Sequence, residues 1–218
     1  MTNPSPPDAA GLAPIRLASP KDDLSVSVFA ALQKRCTTRE ISPTPLSLQQ
    51  LSNLLWAAHG VNRKTGPFGL TGRTAGSASN SQEIDLYVAL AEGAYLHDGL
   101  NHLLKPVAAG DLRAGAMTPR QRFVEAKAPV QLIYVVDVGR LTHTAGFQEP
   151  GLQDGEVQKS YYFVDTGLIA QNVQLFAAAA GLAAWFHNCD KTGLAQKLGL
   201  RPAQRVLFAQ SVGYPESK

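Results

Sequence analysis

Cysteine is scarce in this 218-residue chain: Cys36 and Cys189 stand far apart, without metal-ligand spacing. A disulfide framework is thereby excluded, and a reducing compartment fits better. Both thiols are expected as small buried side chains. No apolar run approaches the roughly 20 residues that a membrane helix needs, although 44% apolar residues suffice for a sizeable core. Lys and Arg are scattered without a basic run, and the net charge is only +3, so no nucleic-acid stripe is present. The opening "MTNPSPPDAAGLAPIRLASP" lacks the basic start and apolar core of a secretory signal. Residues 1–22 read as a flexible arm and 23–218 as one domain, soluble and cytoplasmic, with neither nucleic acid nor membrane as partner. There is no internal repeat.

What is present is punctuated clearly. Leu24 to Lys34 reads as a helix with Leu24, Val28 and Leu32 on one side. A second helix has Ser47 as cap, Leu48, Leu51, Leu55 and Ala58 at helical spacing, and Gly60 as its stop. Residues 61–81 form a long Gly, Ser and Thr-rich loop, of a length compact domains seldom keep without a function. A strand starts at Ile84, a hairpin turns at Asp98-Gly99, residues 109–127 look helical, and the apolar run 130–138 predicts a central strand. Residues 160–181 predict a helix that is apolar nearly all round, and "RVLFAQSVGYP" a last strand. The order indicates an α+β fold with a sheet between helical layers.

Common catalytic signatures fail at the level of single residues. In "GPFGLTGRT" five residues separate Gly66 from Gly72 where a phosphate loop needs four, and Arg73 stands in place of its lysine. "GSASN" is not the G-x-S-x-G elbow of a serine hydrolase. His97 and His102 flank a turn without an evident third metal ligand. "KRCTTRE" offers more: Arg35 and Arg39 with Thr37 between them are suited to a phosphate monoester. Asp165, inside the apolar helix, needs a partner for its charge.

Taken together, "KRCTTREIS", "PLSLQQLSNLLWAAHGVN", "RTAGSASNSQEIDLYV", "GAYLHDGLNHLL", "FVDTGLIAQNVQLFAAAAGLAAW" and "VGYP" resemble, in order, the nitroreductase family of flavin enzymes. The similarity spans residues 24–215 and looks closest to the branch containing the thiazole and oxazole peptide-maturation dehydrogenases. The resemblance implies a central mixed sheet flanked by helices in an intertwined homodimer, with FMN as cofactor. It assigns Arg35, Thr37 and Arg39 to the FMN phosphate. Ser77, Ala78, Ser79, Asn80 and Gln82 match the family's "P-S-A-G-N-x-Q" loop along the flavin ring and ribityl chain. Gln121 matches an amide at the flavin's pyrimidine edge, and Phe186, His187 and Asn188 the stretch facing flavin N5. Lys218 stands where relatives supply a last basic residue to the phosphate. Gly76 replaces the family's proline, and the lysine–tyrosine pair of azoline oxidation has no counterpart.

The implied activity is hydride transfer from NAD(P)H through the flavin to an electrophile such as a nitroaromatic or quinone. From the residues alone, a flavin-binding partner module and a serine or metal hydrolase using Ser77 or the two histidines stay open. His187 has a packed structural reading beside its flavin one. Trp56 and Trp185 read as core aromatics. The two long helices hold more apolar surface than one sheet face covers, which agrees with a dimer.

Overall fold

The computed structural model describes residues 9, 11–21, 24–118, 120–121 and 128–216. Lys218 lies outside them, as do parts of the arm and of the stretch 109–127. The chain opens with β1 (Ile15–Arg16), α1 (Val28–Lys34), α2 (Leu48–His59) and a small hairpin of β2 (Val61–Arg63) with β3 (Gly72–Arg73). It continues through β4 (Ile84–Ala89), β5 (Gly93–Asp98), β6 (Leu103–Ala109), β7 (Val130–Asp137), α3 (Val138–His143) and α4 (Gly155–Ala179). The end is built from β8 (Ala183–His187), α5 (Lys191–Lys197) and β9 (Gln204–Gly213).

Seven strands form the main sheet in the order β1-β6-β5-β4-β7-β9-β8. The α+β class is as expected. The sheet, expected to be mixed, is antiparallel at every pairing. β7 is buried along its whole length, and the two-residue period of a strand divides its side chains between two cores. Leu132, Tyr134 and Val136 join Leu54, Leu55, Ile169 and Val173 under α2 and α4. Ile133 and Val135 face Leu194, Leu198 and Ala116 on the other side.

Local chemistry explains the helix ends. Ser47 Oγ accepts from Gln50 N, and Gln50 Oε1 accepts from Ser47 N, a reciprocal capping box for α2. Gly60 ends α2 for a steric reason rather than a left-handed one: a Cβ there would stand 2.4 Å from Trp56 Cδ1. α4 starts five residues before the expected Ser160, because Asp154 caps Glu156 N and Val157 N. It closes with Gly181 at φ +69°, and Leu182 N reaches back to Ala177 O. That is the glycine-terminated end which only a residue without Cβ adopts cheaply.

Some expectations are corrected. Part of the arm is built into the fold: Ile15–Arg16 adds an edge strand to β6, and Leu17 is buried. α1 begins at Val28, where Ser27 Oγ caps Ala30 N, and not at Leu24. Of the stretch 109–127 that looked helical, the described residues hold the end of β6 at Ala109, Gly110 at φ +90°, a short helical turn at Arg113–Ala116 and a turn at Thr118–Gln121. Cys36 is exposed, whereas Cys189 is buried as expected.

Candidate functional site

The loop Ser77–Gln82 is held in an uncommon shape. Ser79, Asn80 and Gln82 all take left-handed backbone angles, at φ 49°, 54° and 50°. For serine and glutamine this conformation costs about 1–2 kcal/mol per residue. The loop's own polar groups offset that cost. Ser77 Oγ accepts from Gln82 N at 3.0 Å, and Ser79 Oγ donates to Gly146 O at 2.8 Å. Asn80 Nδ2 donates to Pro67 O and Thr71 O, and Gln82 Nε2 to Thr71 O at 2.7 Å. Arg73 Nε donates to Gln82 Oε1 at 2.6 Å. The side chains therefore build the loop. At Gly76 a Cβ would meet nothing within 4 Å.

Beneath this loop lie two buried carboxyls. Asp165 Oδ2 accepts from Ala78 N at 2.8 Å, and Glu83 Oε2 accepts from Ser81 Oγ at 2.6 Å. Burial pushes the Glu83 carboxyl up to about 7, the facing Asp165 carboxyl adds to the rise, and the Ser81 hydroxyl opposes it. Asp165 is raised by burial against the pull of the Ala78 amide. The partner that Asp165 required is thus an amide together with a second acid. Glu83 escaped the sequence reading, although a charge directly before the apolar run from Ile84 was its signal.

A second group assembles around β8. Thr38 N donates to Ala184 O at 3.2 Å, and the Arg39 guanidinium carbon stands 5.5 Å from the Trp185 ring centroid. Arg35, Thr37 and Arg39 are exposed, and neither arginine has a carboxylate partner among the described residues. Cys36 Sγ contacts Thr38 Oγ1. Phe186 is half-buried against Tyr134 and Phe208, and Asn188 is exposed.

The His187 side chain is buried, packed against Trp185 with its ring tilted 48°, and held by Asn188 O and Ser211 Oγ. Burial lowers its basicity. A neutral ring donating from Nδ1 to Asn188 O must accept at Nε2 from the Ser211 hydroxyl. Ser211 then needs a donor, which the otherwise unpartnered Nε2 of Gln131 supplies if that amide turns its nitrogen to Ser211. The imidazole is a packing group here.

The remaining expected residues are placed differently. Gln121 Oε1 accepts from Thr118 N and Oγ1, which turns the amide oxygen into a local turn. His102 Nε2 is tied to Ala18 O, and its ring lies 6.3 Å from that of His97. No group of three candidate metal ligands occurs among the described residues. Within one chain, the arginine group is fastened to β8 and the serine loop to α4. Exposed guanidinium groups without a carboxylate partner among the described residues, beside a hydroxyl, fit the phosphate of a cofactor such as FMN.

Comparison with known proteins identifies the family and the fold. The model of the nitroreductase family matches residues 32–214. A Methanocaldococcus jannaschii protein described as a nitroreductase is 30% identical over 161 residues, or 69% of this chain and 73% of the relative. A solved structure from Ralstonia eutropha JMP134, also described as a nitroreductase, superposes with a TM-score of 0.82 at 31% identity. It covers 99% of this chain and 95% of the other. The NADPH:FMN oxidoreductase of Vibrio harveyi, solved with NAD+, shares the fold at a TM-score of 0.59 and 18% identity, over 87% of this chain and 69% of that one. No helix among the described residues is long and apolar enough to cross a membrane.

Proposed function

The chain belongs to the nitroreductase family of oxidoreductases, and from that premise we propose that it is an FMN-dependent enzyme. In this reading it takes reducing equivalents from NADH or NADPH and delivers them to an electrophilic acceptor such as a nitroaromatic or quinone. FMN, when bound, supplies the hydride-accepting and hydride-donating centre. Arg35, Thr37 and Arg39 hold its phosphate, with Lys218 as a further basic contact. The backbone of Ser77–Gln82 lines the ring and ribityl chain, Gln121 serves the pyrimidine edge, and a backbone amide from Phe186, His187 or Asn188 faces N5. No acid or base side chain of the protein is required for hydride transfer, so the protein's work is placement, electrostatic tuning and exclusion of water.

The observation that carries this reading is the exposed Arg35/Arg39 pair, unpaired among the described residues on either side of Thr37. It offers one phosphate cradle and no second one for a pyrophosphate. The fold shared with an enzyme named NADPH:FMN oxidoreductase supports the same reading. The serine loop and the arginine group reach one flavin from two subunits of a homodimer. The quoted motifs support a relation to the thiazole and oxazole peptide-maturation branch, and use of reduced nicotinamide suits the cytoplasm.

The test is direct. Purified protein is expected to be yellow, to release FMN and no FAD on denaturation, and to bleach with NADPH and recolour with a quinone. FAD in the supernatant would refute the cofactor assignment, and a yellow protein that does not bleach would leave a binding module.

A further inference from the structure

Glu83 and Asp165 stand together at the foot of the Ser77–Gln82 loop, on two different elements. Glu83 is fully buried just before β4, and Asp165 is 4% exposed in α4. Each grips one part of the loop: Asp165 the amide of Ala78, Glu83 the hydroxyl of Ser81. One oxygen, Glu83 Oε1, is buried with no donor directed at it. An ionised carboxylate left in that state carries a desolvation penalty that nothing offsets. A protonated Oε1 instead becomes a donor, and the facing Asp165 carboxylate is its acceptor.

The surrounding charges do not remove the need for that proton. The Arg140 guanidinium approaches the Glu83 carbonyl at 3.5 Å, not its carboxyl, and is paired with Asp85 at 2.7 Å. Arg73 is engaged with Gln82 and His59 O. Asp137 donates its amide to Glu83 O, and its carboxylate is taken by Arg201. From α4, Thr166 spends its hydroxyl on Tyr162 O. No cation therefore faces the pair among the described residues, and two like charges at such a site cannot both ionise cheaply.

We propose that Glu83 and Asp165 form a one-proton clasp that positions the Ser77–Gln82 loop, so that the loop's hold on its ligand follows the protonation of the pair. With the proton in place, Glu83 Oε1–H donates to Asp165, Asp165 accepts from Ala78, and Glu83 accepts from Ser81. When that O–H bond breaks, the proton goes to water, no electrons move, and two adjacent carboxylates repel. The grip on Ala78 and Ser81 then weakens, and the left-handed residues beside them are left with only the loop's remaining polar contacts to offset their strain. The acid prefers its proton in the closed loop, so closure is favoured at low pH and weakens as pH rises from the ordinary carboxyl range to about 7. Both residues are positioning residues, since neither touches a reacting atom. The flavin consequence rests on the function proposed above; the clasp itself does not.

Hydrogen exchange of the Ala78 amide, measured on the ligand-free protein and corrected for intrinsic chemistry, tests the clasp. Protection should fall by up to about tenfold per pH unit between pH 5 and 7 and level off above, the limit for one linked proton. Glu83→Gln keeps a neutral donor toward Asp165, and Asp165→Asn keeps an acceptor for Ala78. Each should stay protected with that pH step removed, and either variant alone suffices if the other does not fold. A flat wild-type profile, or a wild-type step retained in Glu83→Gln, would overturn the proposal. The FMN dissociation constant, read by flavin fluorescence, should weaken over the same window in wild type only. A chain showing the amide step but binding no FMN would sink the flavin reading and leave the clasp. Tight FMN binding with a flat amide profile would do the reverse.

Discussion

Arg39 rests its guanidinium over the face of Trp185, 5.5 Å from the ring centroid, so the residue assigned to a phosphate is held by an aromatic surface rather than by a carboxylate. A planar cation on an indole face is favourable yet keeps its N–H donors free. A carboxylate partner would have occupied those donors and neutralised the charge. Trp185, read from sequence as a core aromatic, is buried as expected and also shapes the cradle.

Replacement of Arg39 by Ala is therefore expected to weaken FMN binding by about tenfold or more, the value of one charge-assisted contact. Arg39→Lys keeps the charge but loses the planar guanidinium and its fork of donors, and should fall between Ala and wild type. Titration of apoprotein with FMN checks both. Full flavin retention in an Arg35→Ala, Arg39→Ala double variant would show that the phosphate lies elsewhere.

Two glycines beside the site should respond in opposite ways. At Gly60 a Cβ would stand 2.4 Å from Trp56 Cδ1 and 2.6 Å from Trp56 O, and the indole is fixed by its bond to Val61 O. Gly60→Ala should cost about 1–3 kcal/mol, as overpacking does. At Gly76 nothing lies within 4 Å, so Gly76→Ala should be near neutral. Urea denaturation of both variants measures the contrast, and equal midpoints would contradict it.

How much of this could be read in advance depended on whether the signal was local. The Ser47–Gln50 box, the β7 run and the α4 stripe are sequence-near patterns, and each produced the expected element. Gly60 was located correctly for the wrong reason, because the stop lies in the Trp56 ring and not in the backbone angle. β1 was invisible, since two residues carry no periodicity and Ile15–Arg16 pair only because β6 presents an edge. α5 was missed for the same reason: it is seven residues long, contains a glycine, and depends on its Asp190 cap and on Leu194 in the core. Glu83 meets Asp165 across 82 positions of chain, a relation no spacing rule encodes.

The buried histidines set a pH limit of their own. Burial pushes His59 well below its ordinary value, with Arg73 and His97 adding to the drop. His97 is driven down to about 3 by burial, then by His102 and Arg73, against the pull of Asp98. Their folded values lie below the unfolded one, so their contribution is complete above about pH 6.5 and is lost as pH falls below it. Glu83 works in the opposite sense, but a single acid does not offset two histidines. Stability from urea denaturation should fall from pH 7 to pH 5, by up to about 1.4 kcal/mol per unit for each histidine. His97→Gln, which cannot ionise, should flatten that slope even if it lowers stability at pH 7. An unchanged slope would show that His97 does not titrate on unfolding.

The last prediction concerns the face formed by α1 and α4. α1 packs on α4, yet Val28 and Phe29 are each 71% exposed, and Val164 on α4 is 61% exposed. Leu32 on α1 and Tyr161 and Leu168 on α4 are exposed as well. Large exposed apolar side chains on two packed helices are unusual on a monomer when they form one patch and ordinary at an obligate interface. The face also adjoins the Arg35–Arg39 segment that follows α1, so a second copy docked there would approach the phosphate cradle. Phe29→Asp together with Val164→Asp should place charges in that interface without touching the core, and leave a folded monomer. If the site is shared between subunits, flavin should be lost in the same variant even though every assigned flavin contact is intact. Sedimentation and flavin absorbance, followed together over a dilution series, read both events. A monomeric double variant that keeps its flavin and still oxidises NADPH would place the whole site within one chain.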